Sequence, residues 1–165
     1  MNLKLRPATL QDLEKILAIV NHSILHTTSN YSYEIQTLEV QTKWFTDKMA
    51  KNLPVIVADL DGEVMGFGSY GSFREKIGYQ YTVEHSVYVV EEAIGKGIGS
   101  QLLKELIKLA KEQGYHVMIG AIDADNAGSI AFHERFGFVI TGTIREVGYK
   151  FDHWLDLVFM QLILK

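Results

Sequence analysis

Glu84 is a carboxylate inside an otherwise apolar segment, Thr82-Val83-Glu84-His85-Ser86-Val87-Tyr88-Val89-Val90, and five residues after Val90 the chain enters Gly95-Lys96-Gly97-Ile98-Gly99-Ser100. A carboxylate inside an apolar strand is a candidate general base, and a glycine-spaced loop opening onto a helix is a candidate anion site. Apolar residues from Ile98 to Ala110 recur at helical spacing and the run stops at Gly114, so the loop aims unpaired N–H groups and the positive end of a helix dipole at its ligand. Three alternate glycines remove the Cβ atoms that would hold a pyrophosphate away. His133 and Asn126 follow in a second short polar and helical stretch, Asp125 to Phe138. Asn126 has an amide that can bond a ligand or cap a helix, and Ser129 is an alternative cap.

Spacing separates the phosphate loops. A P-loop needs a hydroxyl residue after its lysine, and Lys96 is followed by Gly97. A dinucleotide loop needs a glycine three positions after the second, which neither Gly97 nor Gly99 has.

The pattern Gly95-Lys96-Gly97-Ile98-Gly99-Ser100-x-Leu-Leu resembles the acyl-CoA pyrophosphate loop of the Gcn5-related N-acetyltransferases. Leu3 to Ala8 with Asp12 is similar to that family's opening strand and helix, and Asp125 to Phe138 to its second CoA motif. Thr82 to Val89 and Val147 to Phe151 resemble the phosphinothricin and methionine sulfoximine N-acetyltransferase subgroup. Ile94 stands where the family usually carries Gln or Arg.

The resemblance implies acetyl-CoA as cosubstrate, with no metal, and direct acetyl transfer to the amine of a small amino acid or analogue. It implies cofactor contacts from the backbone of Val87, Tyr88 and Val89, from Gly95 to Ser100 including Lys96 and Ile98, and from Asn126, Ser129 and His133. It makes Glu84 the base, against the plainer reading of an edge-strand carboxylate in water or paired with Arg74. His133 is either the acid that protonates the departing thiolate or only a cofactor contact, against a helix histidine packed beside Phe136. His85 adjoins Glu84 but points to the opposite face of a strand, which predicts a structural role. On the acceptor side the candidates are Phe73, Arg74, Tyr81, Thr82 and Glu84, with Tyr31, Tyr33 and Tyr79 as aromatic surface. Arg74 could hold an acid group bidentately, and Lys150 is a second anion contact. Rival readings are acetylation of a protein N-terminus or lysine, which needs an open groove, and an acyl-CoA sensor, which needs no proton acceptor.

Two other clusters carry less. Asp123, Asp125, Gly128, Ile130 and Glu134 match calcium-loop positions, but Ala127 occupies a ligand position and the preceding flank reads as a strand. His22 and His26, one helical turn apart, lack a third ligand for zinc.

These residues require a scaffold of one domain. The 165 residues suffice to bury about 70% of the unfolded surface, and two prolines with 14 scattered glycines show no linker or repeat. A net charge of −4 argues against nucleic acid. Zero cysteines exclude disulfides, thiolate zinc and a cysteine acyl-enzyme. No apolar run approaches the ~20 residues of a membrane helix and no signal-peptide pattern opens the chain, so a soluble cytoplasmic enzyme is expected. Family resemblance adds a homodimer.

The element pattern predicts strands at Leu3–Arg6, Val55–Leu60, Val64–Gly71, Tyr79–Val90, Val117–Ile122, Val139–Val147 and Trp154–Leu164. Helices are expected after Thr9 and Thr37, from Ile98, and over Ser129–Phe136. This order predicts an α+β fold with a mixed, mostly antiparallel central sheet flanked by helices.

Overall fold

The computed structural model describes residues 2–165. Seven strands form one sheet, β1 (Leu3–Pro7), β2 (Val55–Leu60), β3 (Glu63–Ser72), β4 (Thr82–Val89), β5 (Val117–Asp123), β6 (Val139–Lys150) and β7 (His153–Ile163). Their spatial order is β1-β2-β3-β4-β5-β7-β6. Every neighbouring pair is antiparallel except β4 and β5, which run parallel. Four helices cover it, α1 (Leu13–His26), α2 (Leu38–Ala50), α3 (Ile98–Glu112) and α4 (Ala127–Glu134).

Strand alternation distributes the core to two faces. In β2, Val55 and Val57 join Ile16, Ile24 and Phe45 of α1 and α2, while Ile56 and Ala58 join Leu102, Leu103 and Leu106 of α3. Both faces are buried, which is why β2 reads as a continuous apolar run rather than an alternating one. The two-residue turn Asp61-Gly62 has φ of 52° and 94°, the left-handed pair that a tight hairpin requires.

Two devices fix the helices that matter for the site. Asp12 accepts a 2.7 Å hydrogen bond from the Thr9 backbone and two from the Arg6 guanidinium, at 2.8 and 2.9 Å, while Arg6 also donates to Asp59. Arg6 holds the Asp12 carboxyl well below its usual range, with burial opposing. Asp12, which closes a capping box with Thr9, is thus also the tie between β1, β2 and the start of α1. On the other face α3 lies close to β3, because a Cβ on Gly68 would come within 2.9 Å of Leu106 Cδ1 and one on Gly66 within 3.3 Å of Leu102 Cδ1.

The strand expected from Tyr79 begins three residues later, since Ile77–Tyr79 forms a turn of 3-10 helix. The expected start of the last short helix also moves, from Ser129 to Ala127, because Asn126 is the cap. Among the described residues no helix is long and apolar enough to cross a membrane.

Candidate active site

The parallel pairing of β4 with β5 lasts three residues, Thr82↔Val117, Val83↔Met118 and Glu84↔Ile119. Past this fork the strands part, and His85–Val90 face Gly120–Asp123 across a cavity of about 960 Å³. α1 supplies Ile19, His22 and His26 to its wall, and α4 supplies Asn126, Ser129, Phe132 and His133. A smaller cavity of about 370 Å³ sits at the glycine loop, shares Val89, Ile94, Gly99 and Phe132 with the first, and is also lined by Ser100 and Arg135.

Gly97 is the N-cap of α3 at φ 79°, and Gly95 has φ 80°. A Cβ on either would meet no protein atom within 4 Å, so the space in front of the helix terminus is open for a ligand. The first helical bond runs from Gln101 N–H to the Gly97 carbonyl at 3.2 Å, leaving the N–H groups of Ile98, Gly99 and Ser100 for whatever binds there. Gly99 works differently, since its missing side chain would face Val89 at 3.6 Å and Phe132 at 3.9 Å. Ile98 is buried in the core, so its contribution is a backbone N–H alone. Lys96 is exposed, as is Ile94. Sequence reasoning missed Arg135, which places a guanidinium at the loop cavity while lying 5.9 Å from the Phe132 ring. The glycine geometry, free N–H groups and this cation fit a pyrophosphate.

Along the cleft, Val87 and Val89 pack toward α3, whereas Tyr88 stacks on Phe67 at 5.3 Å on the opposite face. Their backbones line the side of β4 that β5 has left. The Asn126 Oδ1 accepts from Ser129 N–H at 3.0 Å, so Asn126 caps α4 and Ser129 is the capped residue. The Asp125 N–H donates to Asp123 Oδ1 at 3.2 Å, making the calcium-like segment the turn into α4.

Glu84 stands at the fork itself, beside the cavity-lining His85 and Ser86, and points to the α1–α2 face with its cross-strand partner Gly71. Burial raises its pKa and Arg74 partly offsets this. Among the described residues no ion pair within 4 Å joins Glu84 to Arg74, so the paired-carboxylate reading fails. Arg74 lies exposed with its guanidinium 5.1 Å from the Phe73 ring, and Phe73 packs edge-on against Tyr79 and Phe159. Thr82 is half-buried and Tyr81 is 59% exposed.

Lys150 is a correction. Rather than facing an acid group of a substrate, it is 4% exposed and donates to the carbonyls of Thr27 and Asn30 at 2.7 and 2.5 Å. Burial lowers its pKa. Tyr31 packs on Gly148, where a Cβ would lie 2.6 Å from its ring, and the Tyr33 hydroxyl donates to the Tyr149 carbonyl. The loop between α1 and α2 is therefore tied down onto the β6–β7 hairpin, and its Thr27 and Ser29 line the cavity. Lys150→Met should leave both carbonyls unbonded, costing about 1–3 kcal/mol. Faster hydrogen exchange confined to residues 27–33, with a raised KM for the acceptor alone, is the expected result; a uniform loss of protection would mean a global effect.

Residues 5–159 match the acetyltransferase (GNAT) domain family, and the chain belongs to that family. It is an acetyltransferase. The L-methionine sulfoximine/L-methionine sulfone acetyltransferase of Pseudomonas aeruginosa is 46% identical over 163 residues, covering 98% of this chain and 95% of that protein. The crystal structure of a ribosomal-protein-alanine N-acetyltransferase from Brucella melitensis is 44% identical with a TM-score of 0.96, covering 98% of this chain and 99% of that one. A phosphinothricin acetyltransferase from Sinorhizobium meliloti, solved in complex with acetyl-CoA, is 34% identical with a TM-score of 0.96 over 99% of this chain and 89% of that one.

Proposed function

We propose that this acetyltransferase passes the acetyl group of acetyl-CoA directly to the α-amine of a small amino acid or analogue, of the methionine sulfoximine or phosphinothricin kind. The observation that carries this reading is an unpaired, half-buried carboxylate, Glu84, at the fork of a cleft that leads to an anion-binding helix terminus. Acetyl-CoA supplies an acyl group activated as a thioester. Gly95, Gly97, the first N–H groups of α3 and Arg135 hold its pyrophosphate; Val87 to Val89 and Asn126 flank the arm. Glu84, directly or through one water, takes a proton from the substrate ammonium and exposes the lone pair that attacks. The N–C bond forms as the C–S bond breaks, and the amine's surplus proton ends on solvent or the thiolate.

Arg74, with Phe73 and Thr82 beside it, faces the acid group of the acceptor. Arg74→Ala should lower kcat/KM for an acidic amine by about 10- to 100-fold, the equivalent of roughly 1.5–3 kcal/mol for a hydrogen bond to a charged group. A matched amine lacking the acid should lose little, and Arg74→Lys should recover only part because its ammonium lacks the planar fork. Equal losses for both amines would assign Arg74 to the fold.

The Brucella relative supports a second reading, acetylation of a protein's N-terminal α-amine. The loop at Thr27–Tyr33, held on the β6–β7 hairpin and lining the cavity through Thr27 and Ser29, favours a small acceptor over a peptide. A thiol-release assay with methionine sulfone, phosphinothricin and an alanine-initiated peptide decides the matter. Preference for the free amino acids supports the first reading, preference for the peptide the second, and release with neither would indicate a sensor.

A homodimer belongs to the same proposal. The β6–β7 edge exposes Val139, Ile140, Ile144, Val147, Phe151 and Trp154, and a run of exposed large apolar side chains is the kind of surface that marks an interface. Sedimentation velocity should show twice the chain mass; a monomer at micromolar concentration would remove this part.

A further inference from the structure

Two imidazoles meet at the fork. His85 of β4 and His133 of α4 lie with their Nε2 atoms 3.0 Å apart and ring centroids 5.0 Å apart. The other nitrogen of His133, Nδ1, is 2.7 Å from the Ser129 carbonyl. A carbonyl can only accept, so Nδ1 of His133 carries hydrogen. Burial lowers the pKa of both rings, that of His85 to about 3 with neighbouring His133 adding to the effect. Neutral imidazole has a single N–H. Nε2 of His133 is therefore a lone pair, and the hydrogen between the rings belongs to Nε2 of His85.

The surroundings are built for this pair. Gly120 is the first β5 residue past the fork, and a Cβ there would lie 3.2 Å from His133 Cδ2 and 3.3 Å from the Nε2 of each ring. Phe138 meets both rings edge-on, at 5.6 and 5.2 Å, and Phe132 meets His133. Among the described residues no charged side chain bonds either imidazole. Both nitrogens of His133 are thus committed, and neither is free to deliver a proton into the cleft.

We propose that His85 is a positioning residue for acetyl transfer: the Ser129 carbonyl sets the Nδ1–H tautomer of His133, and the His85 Nε2–H holds the other end of the ring, so that His133, Ser129 and Asn126 form one rigid wall of the cleft. The chain of bonds runs from His85 Nε2–H through His133 to the Ser129 carbonyl, and from Ser129 N–H to the Asn126 side chain. It locks the first turn of α4 to β4 across the gap where the strands no longer pair. This rests on the acetyltransferase reading, with His133 a cofactor contact rather than the acid. Without the His85 donor, Nε2 of His133 is left without a partner and the ring is held at one end only. Displacements of an ångström at a reacting site cost about 100-fold.

The test uses the full chain, with imidazole nitrogens read by long-range ¹H–¹⁵N correlation. In the wild type, His133 should show a protonated Nδ1 and a bare Nε2; the reverse tautomer would overturn the proposal. His85→Phe should shift the His133 Nε2 signal to that of a lone pair without a donor, leave Nδ1 protonated, and lower kcat/KM for acetyl-CoA about 10- to 100-fold, with the acceptor's KM little changed. His85→Gln, whose amide can donate to Nε2, should restore the hydrogen-bonded Nε2 signal and most of the rate. Wild-type kinetics in folded His85→Phe, or Gln performing no better than Phe, would refute it. Should the Phe variant not fold, the wild-type spectrum and the Gln variant still decide. Absence of turnover by the wild type on any amine would instead sink the transferase reading, with the imidazole signals unaffected.

Discussion

Glu84→Gln should lower kcat about 10²- to 10⁴-fold near neutral pH, the usual contribution of a positioned general base. The site gives this result a pH signature. Because burial raises the Glu84 pKa and Arg74 pulls it back, the acid limb of the wild-type profile should lie above that of an exposed glutamate, and Arg74→Ala should move it higher still. In the Gln variant that limb should vanish, leaving a rate that climbs with pH as free amine accumulates. Stability changes in the opposite sense. A carboxyl whose folded pKa is raised binds its proton more tightly in the folded than in the unfolded chain, so ionisation at neutral pH costs stability, and Gln removes that cost. Loss of activity with an unchanged or higher Tm is the expected combination. A wild-type rate across the whole profile would make Glu84 structural.

Gly97→Val should raise the KM for acetyl-CoA by two or more orders of magnitude. Each charge-assisted hydrogen bond lost at the helix terminus is worth about 1.5–3 kcal/mol, or roughly 10- to 100-fold. The branched side chain would stand in space that is open in the protein, so its steric effect falls on the ligand. The backbone pays separately, since φ 79° at the N-cap suits glycine and strains valine. Gly97→Ala separates the two effects with less strain. Calorimetry with CoA on the folded variants measures the loss, and undiminished affinity would place the pyrophosphate elsewhere.

The fold was legible because its signals are local. The β2 run, the Asp61-Gly62 turn and the α3 periodicity each specify their element within a few residues. The glycine loop was legible for the same reason. His85 does point to the face opposite Glu84, as strand alternation requires, but the sequence carries no sign that His133 of α4 meets it there. Lys150 looked like an anion contact because its neighbours match the subgroup's sequence, whereas its actual partners are carbonyls more than a hundred residues away in the chain. Arg135 lies within the Asp125–Phe138 motif, but nothing in its spacing distinguished it from an ordinary helix-end cation; only the tertiary fold brings it to the glycine loop. Long-range juxtapositions of this sort have no periodicity to read.

The three-residue pairing between β4 and β5 also bears on how the protein survives in a cell. A strand edge left without a partner is a template for association with other chains, and most proteins keep such edges at the margin of a sheet. Here the unpaired edge lies in the middle of the sheet, roofed by α1 and α4, where no second chain can reach it while the helices stay seated. A cosubstrate that fills the gap favours the seated arrangement by mass action, worth about 2.7 kcal/mol at a concentration 100 times its Kd. Metabolic supply of the acyl donor would then set the enzyme's lifetime against aggregation and proteolysis as well as its rate.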